Sequence, residues 1–222
     1  TKRSIRYHVK NDEFKFFLLV ILLSVLVSTL TLLFKEGFSI NDSLRFGIFQ
    51  TISIVTTTGY TLEPLSNLGN TMPFFIFIIA FIGACSGSVG GGMKAWRILT
   101  LLKIGFSNIT KIMHPNAVST TKMNGEKISS SQIEAVFSFI AIYIAFFLLF
   151  LFVLIFQNVD FYSAFSGTAA AINNLGPGLG QFAENYSSLS DSAKLTLAGA
   201  MIVGRLELFG VLILLFPSYW RS

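Results

Sequence analysis

Long apolar blocks alternate with short polar breaks along this chain, and the spacing of the breaks predicts its elements. Residues 14–34 are apolar over a length that can cross a hydrocarbon core of about 30 Å. Residues 41–55 open with Asn41, Asp42 and Ser43, which cap helices, and then read as a helix. At 1.5 Å per residue that helix would be about 20 Å long, too short to span. Residues 72–83 are strongly apolar again. A half-length helix between two apolar segments enters and leaves the membrane by the same face. The residues after it, Thr56-Thr57-Thr58-Gly59-Tyr60, then lie at membrane depth with free carbonyls. Such backbone is tolerated only where protein or a watery cavity surrounds it. Carbonyls lining a cavity at the end of a half-helix make a cation site, and the helix C-terminus adds partial negative charge there.

The same order recurs. Residues 133–156 read as a span, 160–172 as a second half-helix, and 193–216 as a final span, with Asn173-Asn174-Leu175-Gly176-Pro177-Gly178 after the half-helix. Asp42 stands 17 positions before Gly59, and Asp160 stands 16 before Gly176. The polar stretch 107–131 separates the copies, so the expected units are 1–127 and 128–222. Both copies share one inferred orientation, which favours a pore on a common axis over the inverted repeats of many secondary transporters.

Between the first half-helix and the connector, residues 84–92 are rich in glycine and serine, and a helix cannot easily continue through them. Helical spacing resumes at 93–106. The run is no phosphate-cradling loop, because Lys94 is followed by Ala95 and no strand precedes it. It reads as an unwound intramembrane loop, with Gly87, Ser88, Gly90, Gly91 and Gly92 as its deformable part. Arg205 falls about halfway along 193–216, where a charge is expensive and usually functional. It lies 29 positions after Gly176, and 29 positions after Gly59 is Ser88. The repeat therefore places the guanidinium and the loop at one level, as a candidate gate. Glu207, two residues on, does not share its helix face.

Composition sharpens this picture. The chain is 53% hydrophobic and 12% charged, against roughly 25% charged in soluble domains, which points to an integral membrane protein. Its net charge of +5 marks topology rather than nucleic acid, because the basic residues flank spans. Five of 16 Lys and Arg lie at or before residue 15 (Lys2, Arg3, Arg6, Lys10, Lys15), and six lie between 94 and 127. Positive-inside bias then puts both termini and the 94–127 connector in the cytoplasm, with the half-helices entering from outside. The opening apolar run is long enough to span rather than to be a cleavable signal, and the absent initiator Met suggests a fragment of a longer protein. Cys85 is the lone cysteine, so no internal disulfide is expected. His8 and His114 have no ligand spacing. HExxH, CxxC and GxSxG are absent, so the sequence offers no catalytic machinery and no bound cofactor.

Four motifs, Thr-Thr-Thr-Gly-Tyr at 56–60, Gly-Ser-Val-Gly-Gly-Gly-Met-Lys at 87–94, Asn-Asn-Leu-Gly-Pro-Gly-Leu-Gly at 173–180 and Gly-Arg-Leu-Glu-Leu-Phe at 204–209, occur in the order found in bacterial Trk potassium uptake proteins. The chain resembles that family, TrkH and TrkG, over essentially its whole length. The resemblance implies an all-α, potassium-channel-like fold of four membrane helix–pore loop–membrane helix repeats, of which this chain supplies the third and fourth. It implies a K⁺ filter made of Thr57, Thr58 and Gly59 and of Asn174, Leu175 and Gly176, with K⁺ held at Thr57, Thr58, Asn174 and Leu175 and no cofactor in this chain. It further implies a bacterial inner-membrane homodimer set in lipid, regulated by a cytoplasmic TrkA-type nucleotide-binding ring. The distal lysines Lys111, Lys122 and Lys127 are candidate docking charges for that ring. One glycine per repeat, in place of a longer filter strand, implies modest selectivity against sodium. The sister KtrB branch, a potassium/sodium transporter, reads differently at its last filter. An ion-coupled solute carrier is the other alternative, and it would place carboxylates at midplane.

Overall fold

The computed structural model describes residues 11–221 apart from 70, 89, 115–119, 184 and 188. Lys2, Arg3, Arg6, His8 and Lys10, and Val89 of the glycine-rich stretch, lie outside the described residues. Helix α1 (Asp12–Phe34) starts where the Asn11 side chain accepts from the Glu13 and Phe14 amides. Helix α2 (Ile40–Val55) begins before the expected cap: Ser39, not Asn41 or Asp42, caps it by accepting from the Asp42 amide. Asp42 instead takes the Ser39 hydroxyl at 2.8 Å. Helix α3 (Thr71–Ala80) and helix α4 (Ala95–Met113) flank the glycine-rich loop. A two-stranded hairpin follows, β1 (Lys122–Met123) pairing antiparallel with β2 (Glu126–Lys127). Helix α5 (Ser130–Phe156) opens with a reciprocal capping box between Ser129 and Gln132. Helix α6 (Phe161–Ile172) is capped by Asp160, helix α7 (Asp191–Arg205) by Ser190, and helix α8 (Glu207–Leu215) is followed by a short 3-10 helix at Pro217–Arg221.

Helices α1 and α5, of 23 and 27 residues with mean hydropathy 2.8 and 3.1, are long and apolar enough to cross a membrane. Helices α2 and α6, with 16 and 12 residues, are not. The segment read as one final span is broken: α7 and α8 meet at 107°. The chain turns at Leu206 and at Glu207, whose φ is +49°. The connector is also more ordered than its polarity suggests, because α4 runs on to Met113 and the hairpin occupies 122–127.

Packing follows membrane rules, in which close fit rather than apolar transfer joins helices. A Cβ on Gly47 would fall 2.4 Å from Thr29 Oγ1, so the glycine lets α2 lie directly on α1. A buried hydrogen bond between Thr51 and Ser28 (2.9 Å) ties the same pair. Outward positions such as Leu19, Leu22 and Leu26 stay exposed, as lipid-facing helices require. The two halves of the chain meet at a cluster of edge-on aromatic rings. Phe81 lies edge-on to Phe147 (5.4 Å) and to Tyr143 (6.3 Å), and Phe147 is edge-on to Phe165 (5.4 Å). Each such pair is worth about 0.5–1.5 kcal/mol beyond its area.

Candidate cation pathway

The half-helices α2 and α6 end in one and the same turn. Thr56 (φ −83°, ψ 0°) and Asn173 (φ −83°, ψ −2°) are the last near-helical residues. The next residues, Thr57 and Asn174, are left-handed at φ +58° and +54°. Two backbone bonds close each turn. The Thr57 amide donates to Ile54 (3.0 Å) and the Thr58 amide to Ser53 (2.8 Å); the Asn174 amide donates to Ala171 (3.1 Å) and the Leu175 amide to Ala170 (2.8 Å). This is the Schellman arrangement, usually built with glycine at the left-handed position. Here glycine comes two residues later, at Gly59 (φ +84°) and Gly176 (φ +93°). The conformation of each glycine is one that a residue with a Cβ adopts only under strain.

The two turns meet. A Cβ on Gly59 would lie 2.2 Å from the Leu175 carbonyl oxygen, so the backbones of the two glycine loops are in direct contact. Among the described residues, no hydrogen-bond donor is set against the carbonyls of Thr57, Thr58, Asn174 or Leu175. Each loop is buttressed from its far side. The Ser53 hydroxyl donates to the Tyr60 carbonyl (2.6 Å) and the Gln50 amide to the Glu63 carbonyl (2.9 Å). In the second copy the Tyr186 hydroxyl donates to the Gly176 carbonyl (2.7 Å), and Ser166 exchanges hydrogen bonds with both the amide and the carbonyl of Leu179. Carbonyls freed at the negative end of a half-helix and fixed by such supports are hard oxygen ligands suited to a dehydrated alkali cation.

The glycine-rich loop lies against both turns. A Cβ on Gly90 would sit 2.8 Å from Thr57 Oγ1, and one on Gly91 would sit 2.0 Å from the Asn173 carbonyl oxygen. The neck of the loop is closed by the Met93 amide on the Phe81 carbonyl and the Ala95 amide on the Ala84 carbonyl, both 3.1 Å. Ser88 turns back on Cys85 through its amide and hydroxyl (2.9 and 2.7 Å), and Gly87 has open space where a Cβ would be. On the other side α7 abuts the second turn: a Cβ on Gly204 would fall 2.0 Å from the Ile172 carbonyl oxygen. Arg205 is the exposed last residue of α7, at the break between α7 and α8.

Charges whose partners the sequence does not reveal gather around this loop. Lys94, counted there as one of the basic connector residues, is 6% exposed. Its ammonium donates to the Ser88 and Gly90 carbonyls at 2.8 Å each, so it is not available for docking. Glu13 is 8% exposed and grips Ser86, accepting from its amide (2.5 Å) and its hydroxyl (2.8 Å). Arg97 pairs with Glu207 at 3.1 Å while its guanidinium lies 3.8 Å over the Phe139 ring. Glu207, Arg97, Arg205 and Glu13 all lie within electrostatic range of Lys94. Lys103 is taken by Asp12 at 2.6 Å. Of the connector lysines, Lys111, Lys122 and Lys127 remain exposed. Glu13 and Ser86 are 73 residues apart and Arg97 and Glu207 are 110 apart. Only the rarity of charge in apolar surroundings marked them.

Residues 2–222 match the family TrkH, described as a cation transport protein. The chain is 40% identical over 218 residues to the Trk system potassium uptake protein TrkH of Vibrio parahaemolyticus, covering 98% of this chain and 45% of that one. It is 31% identical to the Trk system potassium uptake protein TrkG of Escherichia coli K12, over 100% of this chain and 46% of that one. The crystal structure of the potassium transporter TrkH from Vibrio parahaemolyticus superposes with a TM-score of 0.89 at 40% identity, over 97% of this chain and 46% of that chain. The chain thus spans about half the length of the relatives it matches. It belongs to the TrkH cation transport family and has that family's helical membrane fold.

Proposed function

We propose that this chain forms half of a potassium-translocating pore, with residues 1–127 and 128–222 as its two membrane helix–pore loop–membrane helix units. One observation carries the reading: two half-helices end in the same left-handed turn, each followed by a positive-φ glycine, and the two glycine loops touch. Carbonyls of Thr57, Thr58, Asn174 and Leu175 replace hydration water on K⁺, and Gly59 and Gly176 set their direction. The loop containing Gly87, Ser88, Gly90, Gly91 and Gly92 lies against these turns and acts as the gate, with Arg205 as a fixed positive charge beside it. The membrane potential supplies about 2.3 kcal/mol per charge per 100 mV, enough to draw cations inward without hydrolysis. The remaining parts of the reading follow from the charge bias and the family resemblance. The termini face the cytoplasm, the membrane is the bacterial inner membrane, and the working assembly is a homodimer. A TrkA-type nucleotide-binding ring docks near Lys111, Lys122 and Lys127.

The test uses the complete transporter in a bacterium lacking potassium uptake. Gly59→Ser and Gly176→Ser are expected to weaken discrimination between rubidium and sodium while the protein still inserts. Unchanged competition in both variants overturns the filter. In liposomes, Arg205→Ala is expected to raise basal cation flux; normal yield with wild-type flux removes Arg205 from the gate.

A further inference from the structure

The glycine-rich loop is held on both sides by buried charge rather than by a helical ladder. On one side Lys94 occupies two loop carbonyls; on the other Glu13 takes both polar hydrogens of Ser86. Glu13 sits in the first turn of α1, and its neighbour Asp12 is bound up with a different structure altogether. The Asp12 carboxylate accepts from Lys103 (2.6 Å) and from the Asn124 amide (3.1 Å), while the Asp12 amide donates to the Asn124 side chain (2.7 Å). Lys103 also donates to the Lys122 carbonyl (2.9 Å). Asn124 and Gly125, at φ +52° and +88°, form the two-residue left-handed turn that makes a hairpin stiff. Hairpin and loop are thereby joined through two adjacent residues whose Cα atoms are about 3.8 Å apart.

We propose that Asp12 and Glu13 are positioning residues through which the β1–β2 hairpin sets the conformation of the loop that follows Ser86. The assignment rests on the reading of residues 87–92 as the gate. On the proposed topology the hairpin faces the cytoplasm with Lys122, Glu126 and Lys127 exposed on it. A partner that tilts the hairpin pulls on Asp12, and Glu13 passes that displacement to Ser86. A charged acceptor that is nearly buried has few alternative partners, so its loss is felt at the group it held.

Two readouts on the complete transporter test this: amide exchange across residues 86–92 in nanodiscs, and rubidium flux in liposomes. Glu13→Gln keeps the shape but loses the charge, and Asn124→Gly keeps the left-handed turn but loses the side-chain acceptor. Exchange at 86–92 is expected to rise on the order of tenfold in Glu13→Gln, as for loss of a charge-assisted bond, and by less in Asn124→Gly. Asn124 is exposed, so the second variant tests the relay even where the first folds poorly. Basal flux should rise in both while rubidium–sodium discrimination stays at wild type; a merely misfolded protein would lose both. Loop exchange that rises in both variants without any change of flux upholds the relay and overturns the gate reading instead. Loop exchange unchanged in Asn124→Gly, or raised only in Glu13→Gln, overturns the relay from the hairpin.

Discussion

The ends of α2 and α6 share a backbone and differ in almost everything that supports it. Both close the same turn with the same pair of hydrogen bonds. The left-handed residue is Thr57 in one and Asn174 in the other. Gly59 is pressed against the Leu175 carbonyl, whereas a Cβ on Gly176 meets nothing within 4 Å in this chain. Beneath the first turn lies the glycine-rich loop, at Thr57; beneath the second lie both that loop, at Asn173, and the end of α7, at Ile172. The backbone turn is therefore what the two copies have in common, and the side chains around it answer to different neighbours.

The largest expected asymmetry separates the two glycines. Gly59→Ala adds a Cβ at φ +84° and drives it into the Leu175 backbone. The φ alone costs about 1–2 kcal/mol, and overpacking against backbone costs about 1–3 kcal/mol more. Gly176→Ala meets only the first of these. About 1.4 kcal/mol withdrawn from ion coordination is a tenfold loss of discrimination, so rubidium–sodium competition should degrade much more in Gly59→Ala. Equal loss in the two variants would mean that the contact between the loops does not matter to selectivity.

An exchange at the left-handed positions probes the next difference. A β-branched residue is strained there, at about 1–3 kcal/mol, while Asn tolerates it. Thr57→Asn should raise the thermal midpoint of the purified protein by about 2–4 °C, taking about 1 kcal/mol as relieved. Asn174→Thr should lower it by a similar amount, and somewhat more if the Asn174 amide bonds to the Ile172 and Met201 carbonyls (3.3 and 3.4 Å) contribute. Midpoints that move in the same direction would show that the two turns are not equivalent in strain.

Much of this organisation was legible in the chain. Half-helix length, the glycine after each, and the failure of helical pattern at 84–92 follow from hydrophobic spacing and from backbone physics that a sequence displays. Asn41, Asp42 and Ser43 all suit the cap of α2 by residue type, and Ser39 takes it only through its extended backbone (φ −61°, ψ 157°). The break after Arg205 was invisible for a different reason. Apolar periodicity continues across it, and the positive φ falls on Glu207, a residue that gives no turn signal. Lys94 was read by its charge and its place beside a span. Its actual role depends on carbonyls that become acceptors only once the loop is folded.

The smallest expected effect lies on the outer side of the second turn. The first loop is braced at Tyr60 by Ser53, from its own half-helix, whereas the second, besides Ser166 of its half-helix at Leu179, is braced at the Gly176 carbonyl by Tyr186, from the chain leading to α7. Tyr186 is fixed in turn by stacking on Phe182, 5.1 Å away and 13° from parallel. Tyr186→Phe keeps that stacking and removes one neutral hydrogen bond, worth about 0.5–1.5 kcal/mol. The carbonyl has a second lone pair and the turn keeps both of its backbone bonds, so most of that energy is not felt by the ion. Discrimination between rubidium and sodium should fall by no more than about threefold, which corresponds to well under 1 kcal/mol. Insertion and yield should stay at wild type. Ser53→Ala, which breaks the brace inside the first half-helix, should do at least as much. A Tyr186→Phe loss as large as that of Gly59→Ala would reverse the comparison, making the outer brace rather than the contact between the loops the element that holds the carbonyls in line.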